Sequence, residues 1–99
     1  MSKLDEARIE INLIDEKMIT LFKERMALAK EIALYKKANN LAVYDEKREE
    51  ALIYKNLNIL NDKSLESYYL TFLKGLLTAS KDYQKDLIKW SYMDYWGLN

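Results

Sequence analysis

The feature that most constrains this chain is an apolar seam running unbroken through its first third. Stepping by three and four, Leu4, Ala7, Ile11, Ile14, Met18, Leu21, Arg25, Leu28, Ile32 and Tyr35 line one side of a helix. No Gly, Pro or cluster of turn residues interrupts the pattern before Asn39-Asn40, so the spacing predicts one helix from about Leu4 to Lys37. At 1.5 Å per residue such a helix is roughly 50 Å long, whereas a compact domain of this size has a radius of gyration of about 13 Å. An apolar face that overhangs its own body needs a second surface. The simplest is a second copy, giving an intertwined homodimer in which the long helices interlock. The competing expectation is a monomeric three-helix bundle whose first helix bends near Met26.

The rest of the chain continues in the same secondary structure. Asp45 is the expected N-cap of a second helix, with Glu46, Glu49 and Glu50 in its first turns, where the helix dipole favours acids. Leu52, Ile53, Leu57 and Leu60 carry it to Asn61-Asp62. Ser64 is the next expected cap, and Leu65, Tyr69, Phe72, Leu76, Ala79 and Tyr83 form the expected seam of a third helix that tolerates Gly75. No strand pattern and no internal repeat is legible. The expected fold class is all-α, three helices per chain, with a long first helix and two shorter ones. The expected domain is 1–89, followed by an aromatic tail, 90–99, that extends the third helix and packs on the dimer or docks another protein.

Composition narrows the function. The 99 residues are 49% hydrophobic and 32% charged, as suits one domain with a core and a hydrated surface. No apolar run approaches the ~18 residues of a membrane span. The opening MSKLDEARIE lacks the apolar stretch of a secretion signal, so cytoplasm is the expected location. Sixteen basic residues balance sixteen acidic ones, which argues against nucleic acid or an anionic membrane as partner and makes any anion site local. With no His and no Cys, the chain has neither an imidazole acid/base nor a thiol nucleophile nor a Cys/His metal site. Its chemistry must run on Arg, Lys, carboxylates and amides, with no metal or cofactor expected.

Arg25 is the one charge in the seam. A guanidinium keeps its charge in a protein, so on a buried face it needs an anion with two acceptors, either a carboxylate of the protein or an anionic ligand. Lys36 lies eleven residues on, almost three turns, and points the same way about 16 Å along the helix. In the third helix Leu73, Leu77, Ser80, Gln84 and Ile88 form a stripe in which Ser80 and Gln84 supply hydrogen bonds. The second helix opens with Asp45, Arg48 and Glu49. Singly, Lys36, Arg48, Ser80 and Gln84 read as ordinary surface residues, and Arg25 equally as half of an internal salt bridge, for instance to Glu24 or to Glu49 of a neighbour, or as a ligand-binding cation. Jointly they suit a small dianion that carries a hydroxyl. Tyr68, Tyr69 and Phe72 read as core and interface, because no basic groove accompanies them as a base-stacking platform would require.

The order Arg8, Asp15-Glu16-Lys17, Glu24-Arg25, Leu28-Ala29, Lys36, Asp45, Arg48-Glu49, Ser80 and Gln84 resembles the all-α chorismate mutases over residues 4 to about 89. That resemblance implies an intertwined dimer of three-helix chains with two equivalent sites, and the Claisen rearrangement of chorismate to prephenate on the route to Phe and Tyr. It implies that Arg25 and Arg48 of one chain, with Arg8 of the other and Ser80, clamp the two carboxylates. Lys36 and Gln84 would donate to the ether oxygen, while Glu49 and the backbone near Asp45 would hold the ring hydroxyl. Arg8 lies 17 residues before Arg25, about 25 Å along the helix, beyond reach of its own site but within reach of an interlocked partner's. The linker Asn39 to Tyr44 departs from the pattern, with no Pro and with Tyr44 where relatives often place a basic residue. Two other readings stay open: an isochorismate pyruvate lyase on the same fold, which Glu49 and Ser80 disfavour, and a non-catalytic dimerisation or metabolite-binding module.

Overall fold

A computed structural model describes the backbone of residues 1–95 and the side chains of residues 1–89. It contains three helices, α1 (Lys3–Ala38), α2 (Glu46–Leu60) and α3 (Glu66–Tyr95), and no strand among the described residues. None of these helices is long and apolar enough to cross a membrane. The backbone of α3 continues to Tyr95, but the packing expected of the tail 90–99 concerns side chains outside the described residues.

The helix limits follow from local hydrogen bonding. The Ser2 hydroxyl accepts the Asp5 N–H at 3.1 Å, and Asp5 and Glu6 sit in the first turn of α1, where the dipole favours them. At the other end, Asn40 adopts φ 55°, a left-handed conformation that Asn tolerates better than most residues. That turn lets the Leu41 N–H reach the Lys36 carbonyl at 2.8 Å and the Asn40 N–H reach that of Lys37 at 3.3 Å. This Schellman pattern satisfies carbonyls that the helix end would otherwise leave bare. Asp45 caps α2 as expected, accepting the Arg48 N–H at 3.1 Å. Asn61, at φ 46°, ends that helix with its N–H on the Leu57 carbonyl.

Ser64 does not cap α3. Its N–H and hydroxyl both donate to the Asp62 carboxylate, at 2.9 and 2.6 Å, and the helix begins two residues later at Glu66. Asp62, an acceptor with more lone pairs, organises the turn in its place. The Ser64 hydroxyl, followed by its N–H, holds the Asp62 carboxyl below the ordinary carboxylate range. The stabilisation from that contact is present above the unfolded-state value and is lost as pH falls through the depressed one.

Helix α3 packs on both α1 and α2, whereas α1 and α2 do not pack on each other. The face that α3 buries differs from the expected seam. Leu73, Leu77, Ser80 and Gln84 are buried against the level of Ala29 and Ala33 in α1, while Leu65 and Phe72 remain exposed. The small alanines let α3 approach closely, and the stripe that meets them becomes the inner one. Tyr68 and Phe72 are likewise exposed, at 73% and 53%, so they are not core within the chain.

The molecule is long and thin, 58 × 31 × 16 Å, with a radius of gyration of 17.7 Å. Its smallest dimension is little more than one helix diameter of about 10–12 Å. A single layer of helices cannot enclose a core, and among the described residues no large side chain is fully buried. Every residue from 1 to 24 is exposed. Ile11, Ile14 and Leu21, members of the seam, are 53%, 53% and 62% exposed.

Candidate active site

The three helices converge at the C-terminal end of α1, where a cleft of about 310 Å³ opens. That volume suits a small molecule. Arg25, Ile32 and Lys36 reach it from α1, Arg48, Glu49 and Leu52 from α2, and Leu77, Ser80, Lys81 and Gln84 from α3, with Val43 and Asp45 from the connection. Thus Arg25, Lys36, Asp45, Arg48, Glu49, Ser80 and Gln84, scattered over 60 residues of sequence, line one space. Arg8 does not. It stands exposed on the overhanging part of α1, outside the cleft.

Each element delivers its residues for a local reason. Lys36 lies in the last turn of α1, and its Nζ donates to the Val43 carbonyl at 2.8 Å, tying the connection down over the helix end. The Asp45 cap fixes the direction of α2, so that Arg48 and Glu49 in its first turn face the cleft. Ser80 and Gln84, one turn apart on α3, are 8% and 7% exposed, and the Gln84 Nε2 donates to the Ser80 Oγ at 3.2 Å. The Gln84 Oε1 has no hydrogen-bond partner although it is buried. An orphaned buried polar atom costs about 1–3 kcal/mol. Rotating the amide by half a turn lets the oxygen accept the Ser80 hydroxyl and leaves an N–H₂ donor unpaired instead. In either orientation Gln84 keeps one unused hydrogen-bonding group at the wall of the cleft.

The electrostatics are local, as the balanced composition requires. Arg25, Lys36, Arg48 and Lys81 are four cations against the two carboxylates of Asp45 and Glu49, leaving an excess of two positive charges, whereas the whole chain has net charge 0. Among the described residues, the guanidiniums of Arg25 and Arg48 make no ion pair with the protein. The internal salt bridge weighed for Arg25 is therefore not formed within the chain. Ile32, Val43, Leu52 and Leu77 supply the apolar part of the wall.

Lys81 is the site residue that sequence reasoning missed. Its Nζ lies 3.1 and 3.3 Å from the two oxygens of Glu49 and 4.6 Å from the centroid of the Tyr44 ring. A signal was present. Neither Lys81 nor Glu49 has an oppositely charged residue three or four positions away in its own helix, so each was available to pair across helices.

The fold and the cleft define an all-α protein whose small-molecule cleft combines two excess positive charges with a buried hydroxyl and a buried amide. The chain belongs to the chorismate mutase type II family, which matches residues 7–85. It is 39% identical over 83 residues to a bifunctional chorismate mutase/prephenate dehydratase of Buchnera aphidicola subsp. Acyrthosiphon pisum. It is also 39% identical over 71 residues to the protein of the same description in Enterobacter agglomerans. These matches cover 83% and 71% of this chain but only 22% and 18% of the relatives, so the chain spans about a fifth of their length. No solved structure gives a significant match.

Proposed function

We propose that this chain is a chorismate mutase that converts chorismate to prephenate. The observation that carries this reading is the cleft itself, in which Arg25, Lys36, Arg48, Ser80 and Gln84 converge around two excess positive charges. The reaction is a unimolecular rearrangement. One C–O bond breaks as one C–C bond forms, and no proton, electron or leaving group departs. Such a step needs neither nucleophile nor cofactor. It needs the dianion held in its compact conformer and donors aimed at the ether oxygen, which gains negative charge as its bond to carbon lengthens.

In this reading Arg25 and Arg48, with Ser80, bind the carboxylates as bidentate and hydroxyl donors. Lys36 keeps one N–H on the Val43 carbonyl and has two more, enough to serve the ether oxygen without releasing the connection. With its amide rotated so that the amide oxygen accepts the Ser80 hydroxyl, Gln84 turns the freed N–H₂ toward the ether oxygen. Glu49 and the backbone near Asp45 take the ring hydroxyl. Arg8 of the partner subunit completes the clamp, in an intertwined homodimer that covers the exposed seam of α1. The support for that dimer is the apolar face from Leu4 to Leu21, which nothing in the chain covers. A face of this length and hydrophobicity on a monomer invites association.

Purified protein should deplete the ultraviolet absorbance of chorismate and yield prephenate, while scattering light as a particle of about twice 11.8 kDa. Release of pyruvate from isochorismate in place of that reaction would establish the lyase reading. A protein that leaves both compounds intact would be a binding or dimerisation module.

A further inference from the structure

We infer that Lys81 is a positioning residue that holds the Glu49 carboxylate away from the cations needed by the ligand, an assignment that rests on the dianion-binding reading above. The pair joins α3 to α2 and is only 26% and 21% exposed, unlike the Lys63–Glu66 pair, where Lys63 is 96% exposed. Solvent therefore screens it less than an ordinary surface ion pair. Both carboxylate oxygens of Glu49 lie within 3.3 Å of the Lys81 ammonium. The same ammonium stands over the Tyr44 ring, so one cation fixes α2 and the connection that forms the cleft's rim.

The consequence concerns competition. Glu49 shares the cleft with Arg25, Lys36 and Arg48, which make no ion pair with it among the described residues. Remove Lys81, and Glu49 becomes an internal anion whose best partners are the guanidiniums that would bind the ligand's carboxylates. That competition weakens ground-state and transition-state binding alike, so the loss belongs in KM more than in kcat. Lys81 itself need not touch substrate.

The test compares Lys81→Met, Lys81→Arg, Glu49→Gln and the double variant Lys81→Met/Glu49→Gln in the full chain. Two readouts are taken: chorismate kinetics, and calorimetric binding of the product prephenate, which needs no turnover. Lys81→Met should raise KM, and weaken prephenate binding, about tenfold with kcat changed less than about threefold. Lys81→Arg should restore both to within about threefold, because it keeps a cation beside Glu49. In the Glu49→Gln background, Lys81→Met should change prephenate affinity less than about twofold, since the competing carboxylate is gone.

Equal penalties for Lys81→Met in both backgrounds would overturn the inference and leave Lys81 as packing. An unchanged KM for Lys81→Met would do the same. If Lys81→Met fails to fold, Lys81→Arg and the double variant carry the comparison through prephenate binding. There, a double variant that binds much more weakly than Glu49→Gln would count against the inference. A parent protein that neither turns over chorismate nor binds prephenate would remove the functional reading itself, and Lys81's role with it. A parent that does both, alongside an indifferent Lys81→Met, removes only the role of Lys81.

Discussion

Arg25→Ala should lower kcat/KM for chorismate by at least about a hundredfold, because removing a donor aimed at the charge of the transition state typically costs roughly 3 kcal/mol or more. Arg25 is half-buried at the cleft and its guanidinium makes no ion pair with the protein among the described residues. Its removal therefore strands no buried carboxylate, which is the usual reason that deleting one charge unfolds a protein. Helix content and melting temperature should stay close to those of the parent while activity collapses. Steady-state kinetics read alongside circular dichroism check this. A variant that melts far below the parent, yet retains activity when folded, would mean that Arg25 serves the fold and not the ligand.

Gln84→Glu should convert a pH-indifferent enzyme into one favoured by acid. The Gln84 amide does not titrate, so the parent's activity should vary little between roughly pH 5 and 8 as far as this donor is concerned. A glutamic acid can donate only while protonated. Once ionised it offers the breaking C–O bond an acceptor and adds a negative charge to a buried position, one only 7% exposed in the parent. The sign is fixed by that order: activity present at low pH, declining as the carboxylate loses its proton. Rate measurements across the range decide the matter. A Gln84→Glu profile that parallels the parent's would remove Gln84 from the ether oxygen.

The limits of the helices were legible because they rest on contacts between near neighbours. Asn39-Asn40 end α1 through a left-handed turn, and Asp45 starts α2 by accepting an N–H three residues on. The cleft was legible for a different reason. Arg25, Ser80 and Gln84 are polar residues on stripes otherwise filled by apolar ones, and such interruptions persist only where something answers them. What the sequence concealed were choices between nearly equivalent alternatives. Helix α3 carries two apolar stripes, and the inner one is decided by Ala29 and Ala33 on another helix. Ser64 and Asp62 can both organise a turn, and the carboxylate does so here. Lys81 sits beside Ser80 and looks like a solvated lysine until α2 brings Glu49 against it.

The central claim is that a second copy completes the site, with Arg8 of the partner subunit joining Arg25, Arg48 and Ser80 on one dianion. Subunit exchange tests it directly. Arg8→Ala and Arg25→Ala should each form nearly inactive dimers, and unfolding and refolding them together in equal amounts should produce mixed dimers. In a mixed dimer both lesions fall in the same site and the other site is intact. With half the dimers mixed and one site of two restored, chorismate turnover should rise to about a quarter of the parent's. Turnover that stays at the level of the separate variants would show that Arg8 and Arg25 act within one chain, or not on the same ligand, and would contradict the account.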